Sequence, residues 1–166
     1  MSYFFLNLDA VPEHVGHYRP VINARKLVVN AQISNRQDDS LFINIQLHVD
    51  GGCEPAEILL QPADAITLGL EPEGLPTTAV QADGTEIRLQ EYGRVVVEMI
   101  TDTADVWRAT LTPMIILENE EQDGAVNHGV PGVDDTSRLL GYGGLNRFGV
   151  KQDFYNHRLI KSLRRL

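Results

Sequence analysis

The clearest signal in the chain is a strict alternation: Leu41, Ile43, Ile45, Leu47 and Val49 stand against Phe42, Asn44, Gln46 and His48. A period of two over nine residues predicts a strand with one buried face. The β-branched run Lys26 to Ile33 precedes it, and the polar cluster Ser34 to Asp39 between them predicts a hairpin turn. Glu57 to Leu60 reads as a short strand. Pro62 to Leu68 reads as a short helix, with proline at its first turn and Gly69 past its end. Asp83-Gly84 lies between two extended segments of the stretch Thr77 to Gln90, a hairpin signal. Arg94 to Ile100 and Val106 to Leu117 predict a further hairpin around residues 101–104. Downstream, Leu139-Leu140-Gly141 opens a short helix candidate ending near Phe148-Gly149, and a last hairpin turns at Asn156-His157. These readings give seven to nine strands and two short helices, a mainly β fold with no internal repeat.

Residues 1–25 hold Pro12, Pro20, His14 and His17 with little periodicity and read as an N-terminal arm. Residues 118–137 carry Glu118, Glu120, Glu121, Asp123, Asp134 and Asp135 without a lysine or arginine, and read as an acidic loop inserted into the domain. The 166 residues fit one domain, and 43% apolar against 22% charged residues is enough to fill a core. The net charge of −9 argues against nucleic acid as the main partner. One cysteine excludes an internal disulfide and a four-cysteine zinc site. No apolar run approaches the roughly 18 residues of a membrane span, and the start lacks a basic signal-peptide region. The expectation is a soluble, cytoplasmic protein without a membrane partner.

Candidate chemistry centres on Asp50. A carboxylate leaving a buried strand into Gly51 and Gly52 would be partly desolvated, with backbone N–H groups nearby, conditions that perturb acidity. Taken alone, Asp-Gly-Gly reads first as a tight turn. The order of motifs adds to this. A hydrophobic strand enters Asp50-Gly51-Gly52-Cys53, and a short helix closes at Leu68-Gly69-Leu70. A hairpin then carries Ala82-Asp83-Gly84 at its tip, and Leu139-Leu140-Gly141 leads into a helix. This resembles the retropepsin-like aspartic proteases over residues 26–163, with 164–166 as a basic C-terminal end. The resemblance implies a closed β-barrel or sandwich with one or two short helices, acting as a homodimer. It makes Asp50 the catalytic aspartate and Gly51, Gly52 and Cys53 the rest of the catalytic loop. Ala82, Asp83 and Gly84 become the flap over a peptide or polyprotein substrate, with no cofactor and no metal. Two copies of Asp50 would then share a proton and activate a water. Gly51 stands where the family carries Thr or Ser, so the alternative is a weak or inactive protease-like dimer serving as scaffold or peptide-binding module.

Other signals are slighter. Glu13, His14 and His17 are too few for a metal site. Gly141-Tyr142-Gly143-Gly144 lacks the spacing and βαβ setting of a nucleotide loop. Cys53 with His48 as a nucleophilic pair conflicts with a chain reversal between them, and Trp107 reads as core or interface. Lys151, Arg158, Lys161, Arg164 and Arg165 face only Asp153, so the tail is basic. It reads as a solvated end, a partner of the acidic loop, or an RNA contact.

Overall fold

The computed structural model describes residues 3–15, 19–50, 56–80, 86–101, 104–117 and 138–162. The described residues are mainly β, with two short helices. The strands in chain order are β1 (Tyr3–Asn7), β2 (Asp9–Val15), β3 (Arg19–Asn35), β4 (Phe42–Asp50) and β5 (Ile58–Leu60). Helix α1 (Pro62–Thr67) follows. Next come β6 (Thr77–Val80), β7 (Glu86–Glu91), β8 (Val95–Ile100), β9 (Val106–Leu111), β10 (Pro113–Ile116) and β11 (Leu139–Gly141). Helix α2 (Tyr142–Phe148) then leads to β12 (Lys151–Asp153) and β13 (Arg158–Ser162).

The alternation in β4 does what its period predicts. Leu47 and Val49 are buried, Ile43 and Ile45 pack against the main core, and Phe42, Asn44 and Gln46 are exposed. β4 pairs antiparallel with β3 from Val28↔His48 to Ser34↔Phe42. The large sheet runs β6-β7-β10-β5-β11-β4-β3-β8-β9, and β2 pairs with the first half of β3. Its path is open from β6 to β9; among the described residues no pairing closes it into the barrel that the resemblance implies. One core cluster fills the inner face, with Ile33, Leu47, Ile58, Leu60, Ile115 and Leu140 fully buried.

Three departures from the sequence reading have physical causes. The segment 1–25, read as an arm, contributes β1 and β2: β1 pairs with β13 from Tyr3↔Ser162 to Asn7↔Arg158, and Leu6 and Leu8 are buried. The partners of β1 lie about 150 positions away, beyond any local pattern, whereas β2 pairs with the start of β3 just after it. The stretch 106–117 is two strands. The break falls at Thr112-Pro113, where the Thr112 amide donates to Glu57 Oε1 at 3.0 Å and the proline has no N–H to give. Thus β9 stays with β8, while β10 pairs with β5 and β7. Third, Leu139–Gly141 is a strand before the helix begins. The acidic stretch 118–137 lies outside the described residues.

The final hairpin turns through residues 154–157, with His157 in the left-handed region at φ 51°. Asp153 accepts from the Asn156 side chain at 2.8 Å and from Arg158 Nε at 3.1 Å. These contacts, that of Asn156 first, hold its carboxyl below the usual carboxylate range.

Candidate active site

Asp50 is the last residue of β4 and half-buried. Its position is fixed by the strand beside it. β11 lies between β4 and β5, parallel to the first and antiparallel to the second: Leu139↔His48, Leu140↔Val49 and Gly141↔Asp50 on one side, Leu139↔Leu59 and Leu140↔Ile58 on the other. Gly141 is therefore the neighbour of Asp50 across the ladder, and α2 starts at the next residue. The Gly141 amide donates to the Glu57 carbonyl at 3.0 Å, and the Gly143 amide to the Ala56 carbonyl at 3.3 Å. The chain that leaves β4 at Asp50 and returns at Ala56 is thus held at both ends by the β11–α2 junction.

Side chains in register share a sheet face. Asp50 and His48 lie on the same face as Leu139, and the row continues through Leu59 to Met114. There Ala56, Leu59 and Leu139 form a second apolar cluster, with Leu89 and Met114 packed against it. Beside it, at the foot of the β6–β7 hairpin, is a cavity of about 420 Å³ whose lining includes Ala56, Thr78, Ala79, Leu89 and Met114. The face that carries Asp50 therefore also carries a recess suited to an apolar side chain. The hairpin itself pairs Thr77↔Leu89 through Val80↔Glu86.

Of the residues singled out in the sequence, Asp50 is placed at this junction. Gly51, Gly52, Cys53, Ala82, Asp83 and Gly84 lie outside the described residues. So does His17. Trp107 is a core residue, 4% exposed. Among the described residues, no group of three or more His, Cys, Asp and Glu is arranged to hold a metal, and no helix is long and apolar enough to cross a membrane.

Two braces escaped the sequence reading. Arg138 donates through Nε to Asp64 Oδ2 at 2.9 Å and through its terminal nitrogen to Oδ1 at 2.7 Å. Asp64 also accepts the Gln61 amide at 2.9 Å, while the Arg138 carbonyl receives the His48 amide at 3.0 Å. This fork joins α1, β11 and β4 just below Asp50. Glu57 is the second brace, accepting from Thr112 at 3.0 Å and lying 3.6 Å from Arg147 Nε. The Gln61-x-x-Asp64 spacing at a helix start could have revealed half of the first; its arginine, 74 positions on, gives no local signal.

No family model and no curated protein matches the chain.

Proposed function

We propose that the chain is an aspartic endopeptidase of the retropepsin type, working as a homodimer in which each subunit supplies Asp50. The observation that carries this reading is the insertion of β11 between β4 and β5, with Gly141 beside Asp50 and α2 behind it. That arrangement anchors a carboxylate at a strand end while leaving its face open. The chemistry needs two carboxylates, and each chain offers one Asp-Gly-Gly motif. A second copy related by a two-fold axis supplies the other.

In the pair, close approach disfavours double ionisation, so one carboxyl keeps its proton. The ionised Asp50 takes a proton from a water as the water oxygen attacks the scissile carbonyl carbon. The protonated Asp50 gives its proton to the carbonyl oxygen. Collapse of the tetrahedral intermediate then returns a proton to the leaving nitrogen. The acidity belongs to the pair, so the pH profile is a bell set by two shared ionisations. The recess formed by Ala56, Leu89 and Met114 supports an apolar residue of an extended peptide as the preferred one beside the cut.

The test is digestion of a mixed peptide library from about pH 3.5 to 7, spanning the mildly acidic range in which aspartic pairs work, read by mass spectrometry. Cleavage by the wild type that vanishes in Asp50→Asn, with the variant still folded and dimeric, is the expected result. Gly51 favours a second reading, a dimer that binds peptides without turning them over, because the loop lacks the hydroxyl that braces it in the family. Gly51→Ser discriminates. If loop order limits the chemistry, the variant raises kcat roughly tenfold or more, within the effect of positioning. A folded dimer that cleaves nothing in either form establishes the binding module.

A further inference from the structure

A second cleft lies at the opposite end of the β3–β4 ladder from Asp50, eight residue steps of β4 away, roughly 27 Å. Its volume is about 480 Å³, in the range of small-molecule sites, and its lining includes Arg36, Arg94, Glu71, Glu73, Gly69 and Gly93. The backbone of its walls is internally bonded. The Arg36 amide donates to the Arg94 carbonyl at 3.3 Å, Gly93 to Glu71 at 2.9 Å and Glu73 to Glu91 at 2.8 Å. The buried Gln90 side chain donates to the carbonyls of Glu73 and Gly74 at 3.0 and 3.2 Å. The four charged side chains are what the walls leave uncommitted: among the described residues none of them makes an ion pair.

The charges around the cleft are grouped by sign. Arg36 and Arg94 stand one step beyond the Asn35↔Val95 pair, joined through the Arg36 amide and the Arg94 carbonyl, and both line the cleft. Glu71 and Glu73 stand two apart on one extended segment. Like charges set next to each other on adjacent strands destabilise a sheet, and interspersing the signs would relieve it. Here the signs are segregated around one cavity and remain unpaired.

We propose that this cleft binds a short zwitterionic peptide, its ammonium end held by Glu71 and Glu73 and its terminal carboxylate by Arg36 and Arg94. A planar guanidinium matches a carboxylate through two parallel hydrogen bonds, which a lone lysine cannot offer. The volume exceeds what a single amino acid fills, and the two signs come from different segments of chain. The proposal is independent of the chemistry at Asp50.

The test uses the full chain carrying Asp50→Asn, so that no probe is consumed, and follows backbone amides by NMR during titration with Ala-Ala. Saturable shifts at Gly69, Gly93 and Arg94 are expected, weakened about tenfold or more when the dipeptide is N-acetylated or C-amidated. The pairs Arg36→Gln with Arg94→Gln, and Glu71→Gln with Glu73→Gln, should each abolish them. The two variants remove opposite charges from exposed positions, so a folding defect in one leaves the other decisive. Absence of saturable shifts overturns the proposal. So does equal binding of the blocked dipeptides, or of sulfate alone, which would mark a site for a single charge. Shifts that survive both double substitutions overturn it as well.

Discussion

At Gly144, α2 lies close against the Glu57 backbone and Leu140. A Cβ built there would overlap the Glu57 carbonyl oxygen and the Leu140 side chain. Backbone on one side and a fully buried leucine on the other leave little room to yield. Gly144→Ala is therefore expected to destabilise the chain by about 1–3 kcal/mol, the range of overpacked sites, measured as a lower urea midpoint at unchanged slope. Because the same junction holds Gly141 and Gly143 against Glu57 and Ala56, the substitution should also reduce any activity of Asp50 beyond its effect on stability. In the sequence this glycine is one of three between 141 and 144, inside a short helix candidate, with nothing to single it out. What distinguishes it is a close approach by residue 57, and no neighbour within the motif records that. Asp50 is different: its place at a strand end is visible because the alternation of β4 runs directly into it.

Among the elements, β11 depends on the Arg138–Asp64 fork for its entry angle. Asp64 is nearly inaccessible, with 5% of its side chain exposed, while Arg138 keeps 25%. Removing one partner of a buried pair leaves a charge without compensation. Asp64→Ala is expected to cost about 3 kcal/mol, at the lower end of that range because Arg138 still reaches water. Replacing both partners by Asp64→Leu and Arg138→Met should recover much of the loss, and a double-mutant cycle in urea measures the coupling. Elements with a strong local period were legible from the sequence: β4 by its alternation, α1 by Pro62 and Gly69, the β12–β13 turn by its polar residues. The bend between β9 and β10 was only half legible: Pro113 marks it locally, but the Glu57 cap on the Thr112 amide comes from 55 positions away. Nor was β11, whose three residues are too few to show a period and whose status as a strand is conferred by β4 and β5.

For the whole molecule, the ends of the described chain are held together. β1 covers β13, and Leu6, Leu8 and Leu159 are all buried in the main core. Deleting residues 2–8 removes two core leucines and a five-residue ladder, and leaves β13 with an unpaired edge. The expected outcome is a loss of several kcal/mol, since each buried leucine alone contributes about 2 kcal/mol, with aggregation above the wild-type threshold in light scattering. This closure was invisible in the sequence, where residues 1–25 show no period and the partners of β1 sit at the other end. The same remoteness governs β11. Its two neighbours are complete by residue 60, yet the strand between them arrives about 80 residues later. A chain made from its N-terminus cannot bring β4 and β5 to their final spacing until residues 139–141 have left the ribosome, and such distant pairing forms slowly. Until then one side of β4, with Gly141 beside Asp50, is missing, while β3 is already present on the other. A chain truncated before residue 141 is therefore expected to lack the ladder neighbour of Asp50 and the helix behind it.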